Sequence, residues 1–140
     1  MLKIYAIGLY LPHTANSPEA ITGSHGPKRI QITTLRDLGA SEFADALVDG
    51  LRRNHSEAEL ARLQPRIDDF RNTIVALKST PAGSQIRLEW LPASGTRLSV
   101  GNEARGKEIP GEDFYQALLR IWLGEKPVDP DLKKALLGKG

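Results

Sequence analysis

The last quarter of the chain constrains its fold most, because helix-forming runs alternate there with strong helix boundaries. Glu112 and Asp113 stand where the helix dipole favours negative charge, and the apolar residues after them recur at steps of three and four. Gly124 ends this helix, while Asp129 caps a further helix that Gly138 terminates. The segment therefore predicts a helix, a tight turn and a second helix.

The beginning of the chain predicts a strand over Lys3–Leu11. One face would carry Tyr5, Ile7, Leu9 and Leu11, and the other Ile4, Ala6, Gly8 and Tyr10. Because both faces are apolar, we expect this strand to be covered on both sides. A loop rich in turn residues follows it, with one short helical turn at Pro18–Ile21.

The middle of the chain predicts one more strand and a pair of helices. Lys28–Leu35 alternates apolar and polar residues, so this strand should be apolar on one side. Ser41 can cap a helix that runs to about Arg53. Ser56 and Glu59 have the spacing of a capping box for the next helix, which Pro65 should kink or break.

A hairpin with arms Gln85–Leu91 and Thr96–Val100 comes next, and Lys107–Ile109 can form a short third arm. Strands, helices, a hairpin and then helices make an order typical of the α+β class. At 140 residues the chain is expected to form one domain over residues 1–140. It enters a strand pattern almost at once, so we expect that N-terminal residues are missing from it.

Composition excludes several classes of function. The chain has no cysteine, which rules out disulfides, zinc–thiolate sites and thiol nucleophiles. Its net charge is only +2, without a basic stripe, so nucleic acid is not an expected partner. The sequence shows neither a signal peptide nor a transmembrane span.

Local motifs give little chemistry. Gly101–Lys107 has the glycine and lysine spacing of a phosphate-binding loop, but Glu108 replaces the required Ser or Thr, so a hairpin turn is the better interpretation. His13, His25 and His55 have no ligand spacing between them, so no metal or cofactor is expected.

Arg36 and the strand tyrosines are the more informative polar residues. Arg36 stands where the second strand stops, and a guanidinium beside an apolar cleft can bind a carboxylate with two hydrogen bonds. The alternative is an ion pair with Asp37 or simple solvation. Tyr5 and Tyr10 are core residues with a bonded hydroxyl or, alternatively, polar handles inside a cleft.

Three blocks of the chain resemble the bacterial chalcone isomerase-like proteins. They are KIYAIGLYLP, PKRIQITTLRDLGASEF and the stretch from LPASGTRL to WLGEKPVDPDLKKALLG. The resemblance covers most of the chain and implies an antiparallel sheet with helices packed on one face, enclosing an apolar cleft. Related bacterial proteins commonly carry export signals, so it also implies a periplasmic location.

The resemblance implies a binding function more than an enzymatic one. Plant members cyclise chalcones, whereas plastid members bind fatty acids through an Arg that matches Arg36. The isomerases carry a Thr where this chain has Tyr5, a small hydroxyl residue where it has Ile121, and a catalytic Arg on an earlier strand with no counterpart here. These departures argue against efficient cyclisation.

The leading expectation is therefore non-catalytic binding of a fatty acid or similar amphiphilic carboxylate, with Arg36 as its anchor. The expected lining of the cleft consists of Tyr5, Ile7, Trp90, Phe114, Ile121 and Trp122. One alternative is an intramolecular lyase of the chalcone isomerase type. Another is a structural or interaction protein whose cleft is filled by its own side chains.

Overall fold

The computed structural model describes residues 5–138 of the chain. Its elements, in chain order, are β1 (Tyr5–Tyr10), α1 (Pro18–Thr22), β2 (Lys28–Thr34), β3 (Leu38–Gly39), α2 (Ala40–Arg53), α3 (Glu57–Val75), β4 (Ser79–Thr80), β5 (Gln85–Leu91), β6 (Gly95–Val100), β7 (Glu103–Ile109), α4 (Glu112–Leu123) and α5 (Pro130–Leu136). The α+β class is confirmed.

Five strands form one antiparallel sheet in the order β1-β2-β5-β6-β7. The predicted one-sided pattern of β2 is confirmed, because Ile30 and Ile32 are buried while Arg29 and Gln31 on the opposite face are partly exposed. Ile86 and Leu88 of β5 continue the same buried face. Helices α2, α3 and α4 supply the other half of this core, so the helices lie on one face of the sheet.

The expectation that the first strand is covered on both sides is wrong. Tyr5, Ile7 and Leu9 face the core, whereas Ala6 is exposed and the side chain of Tyr10 is 54% exposed. β1 is an edge strand of the sheet and its second face meets solvent. Apolar side chains on an open face are ordinary in folded proteins, so composition alone overstates their burial. The predicted start of the strand at Lys3 lies outside the described residues.

The expected break at Pro65 is wrong, because α3 is one continuous helix from Glu57 to Val75 with Pro65 inside it. The alternative, a kink at Pro65, stays a prediction. Proline removes one backbone hydrogen bond. The buried stripe through Leu63, Ile67 and Phe70 packs against the core on both sides of that gap, which holds the two turns together. The predicted capping box at Ser56 is confirmed, with the Glu59 backbone N–H donating to Ser56 Oγ over 3.2 Å.

Two boundaries differ from the sequence predictions. The expected cap at Ser41 is wrong, because α2 begins at Ala40 and its N-cap is Gly39, which has no side chain to cap with. Gly39 also pairs with Ser79, a residue distant in sequence, in a two-stranded sheet formed by β3 and β4. The third arm of the hairpin is longer than predicted and starts at Glu103, so the Gly101–Lys107 stretch is a turn followed by strand. This geometry agrees with a hairpin.

Candidate functional site

Helix α4 carries three of the six predicted lining residues into the core. Glu112 and Asp113 occupy its first turn as predicted, and Asp113 forms an ion pair with Arg66 of α3 at 2.7 Å. The hydrogen bond from Arg66 is the main reason that the pKa of Asp113 lies below its ordinary value. Phe114, Ile121 and Trp122 are then buried by packing on the sheet and on the other helices.

The most specific contact of this interior joins α4 to the edge strand. Trp122 Nε1 donates a hydrogen bond to the hydroxyl oxygen of Tyr5 over 2.9 Å, and Trp122 is only 1% exposed. The Tyr5 ring also meets Phe43 of α2 edge-on, with ring centroids 6.2 Å apart. Two aromatic residues that the sequence placed in one cleft are therefore in direct contact.

The ionisation of Tyr5 reflects this enclosed position. Burial raises the pKa of its hydroxyl above the ordinary value, the hydrogen bond from Trp122 opposes this rise, and the charge of Asp129 adds to it. Asp129 is the N-cap of α5, so the beginning of α5 lies close to the Tyr5–Trp122 pair. At neutral pH Tyr5 is thus a neutral polar group within an apolar surround.

The remaining predicted residues do not all share one place. Trp90 pairs across the sheet with Lys28, whereas Tyr5 pairs with Thr34 at the other end of β2, roughly 20 Å away at about 3.3 Å per residue. The Trp90 ring packs against Tyr115, with centroids 6.3 Å apart. The structure therefore separates Trp90 from the Tyr5 end of the cleft.

Phe114 and Trp90 belong to the same end of the interior. Phe114 lies eight residues before Trp122 on α4, about 12 Å along the axis, and packs edge-on against Phe70 at 5.8 Å. Tyr115 beside it donates its hydroxyl proton to the carbonyl of Leu88 over 2.7 Å. These rings fill the space between the helices and the sheet.

Ile121 and Ile7 complete the set. Ile121 is 1% exposed and faces Gly50 of α2, where an added Cβ would lie 2.7 Å from its methyl group. Ile7 is half-buried and packs on the core from the edge strand. Ile7 is on the same strand as Tyr5, and Ile121 is next to Trp122 on α4, so both belong to the Tyr5–Trp122 side of the molecule. Both side chains pack against the core.

Arg36 lies in the turn between β2 and β3, two residues after Thr34, which pairs with Tyr5. Its Nη2 is 3.6 Å from Glu42 Oε1 of α2, and the two side chains are 48% and 61% exposed. An exposed pair of this kind is worth about 0–1 kcal/mol. Arg36 therefore lies at the Tyr5 end of the sheet. Its guanidinium reaches solvent and is already paired with the carboxylate of Glu42.

Among residues 5–138, the most buried charged residue is Lys28, which no sequence pattern indicated. The Lys28 side chain is 1% exposed, and its Nζ donates to the carbonyls of Ser24 and Gly26. Burial lowers the pKa of Lys28, and Glu112 at 4.0 Å opposes this shift. A lysine at the first position of a predicted strand is expected on the surface. Lys28 is buried because the turn at residues 24–26 folds over its side chain.

Within residues 5–138 no cluster of three His, Asp or Glu side chains is arranged to hold a metal ion. None of the helices in the same range has both the length and the apolar composition needed to cross a bilayer.

Comparison with known proteins now decides the family. The family model for chalcone isomerase-like proteins matches residues 1–138. This chain belongs to the chalcone isomerase-like family. Comparison with curated protein sequences gives no significant match.

The chalcone isomerase-like fold is also found by structural comparison. The crystal structure of a fatty-acid binding protein from Arabidopsis thaliana superposes with a TM-score of 0.66 at 15% sequence identity. The match covers 96% of this chain and 76% of the Arabidopsis chain. At this identity the match shows that the two proteins share a fold.

Proposed function

We propose that this chalcone isomerase-like protein is a non-catalytic binder of a fatty acid or a similar amphiphilic carboxylate. The observation that carries the proposal is the Tyr5–Trp122 hydrogen bond, a polar pair set in an apolar interior at the end of the sheet where Arg36 also lies. An acyl chain needs an apolar surround with one or two polar anchors, and this end of the molecule provides both. The Arabidopsis fatty-acid binding protein of the same fold supports this choice.

Binding requires that the interior opens, because the aromatic side chains there are in contact with one another. The element best suited to move is α5. It has no fully buried residue, and Leu132 and Leu136 pack on the core while only partly buried. Segments with few buried apolar contacts open at the lowest free-energy cost. Displacement of α5 near Asp129 would uncover the Tyr5–Trp122 pair.

Arg36 is proposed as the anchor of the carboxylate. Its present partner, Glu42, already places a carboxylate 3.6 Å from the guanidinium, so the position accepts such a group. Because the pair is exposed and weak, a ligand carboxylate can replace Glu42 at little cost. A charge-assisted hydrogen bond at a partly desolvated mouth is stronger than this surface pair.

An isomerase function is not favoured by the same geometry. Cyclisation needs donors aimed at a developing enolate, held beside a positioned phenolate. The Tyr5 hydroxyl is held as the acceptor of the Trp122 hydrogen bond, and Ile121 offers no polar group that could serve as a second donor beside it. A chalcone absorbance assay should therefore give the rate of buffer alone.

A packing observation favours a second candidate, a structural or interaction protein with a closed interior. Phe114, Ile121 and Trp122 are each no more than 1% exposed, as in an ordinary core. The two functions differ in whether the interior ever admits an acyl chain, and this can be measured directly.

The test uses the two tryptophans of the chain. In a Trp90→Phe variant, Trp122 is the only fluorophore of its kind, and titration with palmitate should change its emission with saturation. Methyl palmitate, which lacks the carboxylate, should bind more weakly. Arg36→Gln should weaken palmitate binding about tenfold, because one charged contact is lost.

Arg71→Gln is the matched control, since Arg71 is also a partly exposed arginine paired with an aspartate, Asp45, on the surface. It should leave palmitate binding unchanged. Native mass spectrometry of the purified protein should show a co-purifying acid. An unchanged Trp122 spectrum together with no bound lipid would exclude the carrier function and favour the closed protein.

A further inference from the structure

A second place on the molecule has the geometry of a binding site and is not part of the sheet–helix interior. It is a surface cavity of about 570 Å³ where the end of α2, the start of α3 and the α4–α5 turn meet. We call it the basin and define it by Arg53, Asn54, His55, Arg120, Lys126 and Lys133.

The walls of the basin are held in place by one side chain. Asn54 Nδ2 donates to the carbonyls of Gly50 and Lys126, each over 2.9 Å, and Asn54 Oδ1 accepts from the Lys126 backbone N–H at the same distance. A Cβ at Gly124 would lie 2.2 Å from Asn54 Oδ1, so glycine is required for this close approach. The α4–α5 turn is thereby fixed against the end of α2.

His55 also lines this cavity. Its Nδ1 lies 2.7 Å from the carbonyl oxygen of Leu51, and because a carbonyl can only accept, Nδ1 carries a proton. Nε2 is enclosed by protein atoms and has no hydrogen-bond partner among the described residues, so a ligand in the cavity does not contact it. His55 therefore serves as a reporter of the cavity because it lines the wall.

Cationic side chains exceed acidic ones around the basin. Arg53, Arg120, Lys126 and Lys133 line it, against Glu19 and Glu125. Three of the cations already have partners: Arg53 with Asp49 at 3.0 Å, Arg120 with Glu59 at 3.6 Å, and Lys133, whose Nζ donates to the carbonyl of Gly124 over 2.9 Å. Both ion pairs are exposed, so they hold the guanidinium groups only weakly, and the guanidinium and ammonium groups have further N–H donors available.

From this arrangement we infer that the basin binds a phosphate monoester. Near neutral pH such a group is a mixture of monoanion and dianion, since its second pKa is about 6. Its oxygens accept charge-assisted hydrogen bonds from the surrounding arginine and lysine side chains. The dianion carries more negative charge than a carboxylate, so the cationic lining should prefer phosphate.

The test follows the histidines by proton NMR, because the chain has only three of them, His13, His25 and His55. Titration with glycerol 3-phosphate should shift the imidazole signals of His55 with saturation at roughly millimolar concentration and leave the other two unchanged. Acetate at equal ionic strength should not shift His55. Replacing His13 and His25 by Asn assigns the signals.

Two pairs of variants locate the site on neighbouring residues. Lys133→Gln should weaken the binding of glycerol 3-phosphate about tenfold, whereas Lys134→Gln, an exposed neighbour on the same helix outside the basin, should not. Arg53→Gln and Arg52→Gln form the same comparison on α2. Thermal unfolding checks that every variant is folded. A second arm replaces glycerol 3-phosphate with phosphatidylcholine vesicles that contain phosphatidic acid, read by sedimentation of the protein.

Saturable binding in either arm that Lys133→Gln weakens and Lys134→Gln leaves intact supports the site, and the arm that binds identifies the source of the phosphate. Absence of a saturable His55 shift together with no vesicle binding overturns the inference. Equal losses in Lys133→Gln and Lys134→Gln also overturn it, since they indicate non-specific charge attraction. Palmitate binding is a separate measurement, so the two proposals can fail independently.

Discussion

The Tyr5–Trp122 interior and the basin beside Asn54 are built in opposite ways. The interior consists of large apolar side chains from distant parts of the chain, closed against each other and joined by one hydrogen bond between side chains. The basin is open to solvent, and its shape comes from backbone hydrogen bonds that a single amide collects. The difference shows that the interior has to open before it can admit a ligand, whereas the basin needs no such opening.

The largest expected effect comes from emptying the interior. Trp122→Ala should lower the free energy of unfolding by about 3–5 kcal/mol, because it leaves a cavity and removes the partner of Tyr5. Chemical denaturation measures the change. Tyr10→Ala is the matched aromatic control on the same sheet, and with its side chain 54% exposed it should cost about 0.5 kcal/mol or less. Comparable losses in the two variants would contradict the assignment of Trp122 to a packed core.

A smaller effect is expected from overfilling the contact between α2 and α4. Gly50→Ala places a Cβ 2.7 Å from a methyl group of Ile121 and should cost about 1–3 kcal/mol of strain. The better helix propensity of alanine offsets up to about 1 kcal/mol of this cost. Gly39→Ala, at a position where an added Cβ meets nothing within 4 Å, is the control for thermal unfolding. A stabilised Gly50→Ala protein would show that the interior has spare room.

Tyr5→Phe should cost about 1–3 kcal/mol, because Trp122 Nε1 would remain buried without an acceptor. The same variant also tests how the free energy of unfolding depends on pH. The folded pKa of Tyr5 is raised, so the unfolded chain loses its proton first and stability falls as pH rises past about 10. Below that pH this contribution is fully present.

Denaturation curves at a series of alkaline pH values measure this contribution. The wild type should lose up to about 1.4 kcal/mol per pH unit more than Tyr5→Phe does. Burial also raises the pKa of Tyr115, so Tyr115→Phe should flatten the same curve. Identical pH slopes in the wild type and Tyr5→Phe would mean that the Tyr5 hydroxyl is exposed in solution.

The smallest effect on stability is expected in the basin. Lys133→Gln removes a hydrogen bond of 2.9 Å from Nζ to the carbonyl of Gly124 and should cost about 0.5–1.5 kcal/mol. Gln is too short to replace it from α5. If Lys133→Gln destabilised the protein as much as Trp122→Ala, the basin would be part of the core and would not differ from the interior in this way. Thermal unfolding of the two variants side by side decides this.

Local sequence signals predicted much of the fold because their causes are local. The capping box at Ser56, the Asp129 cap and the alternation in β2 each depend on residues within a few positions of one another. The resemblance to chalcone isomerase-like proteins added the placement of helices on one face of the sheet. The break expected at Pro65 was wrong because packing of α3 against the core outweighs the local cost of proline.

The candidate site could be predicted only as a list of apolar residues. That Trp122 would donate to Tyr5, 117 positions away in the chain, depends on how α4 lies on the edge strand. Whether Arg36 would face solvent or the interior depends on the turn into β3, and no periodicity encodes that choice. The basin depends on contacts across 72 positions between Asn54 and Lys126.

By itself, then, the sequence determined the type and approximate extent of most elements, since hydrogen bonding and periodicity act over a single turn or strand. Tertiary structure alone decided which face of β1 meets water, which aromatic rings touch, and where a buried imidazole nitrogen is left without a partner. The physical reason is that burial and pairing are properties of surfaces brought together by the whole chain. A residue has its chemical identity from the sequence, but its solvent exposure and its partner only from the fold.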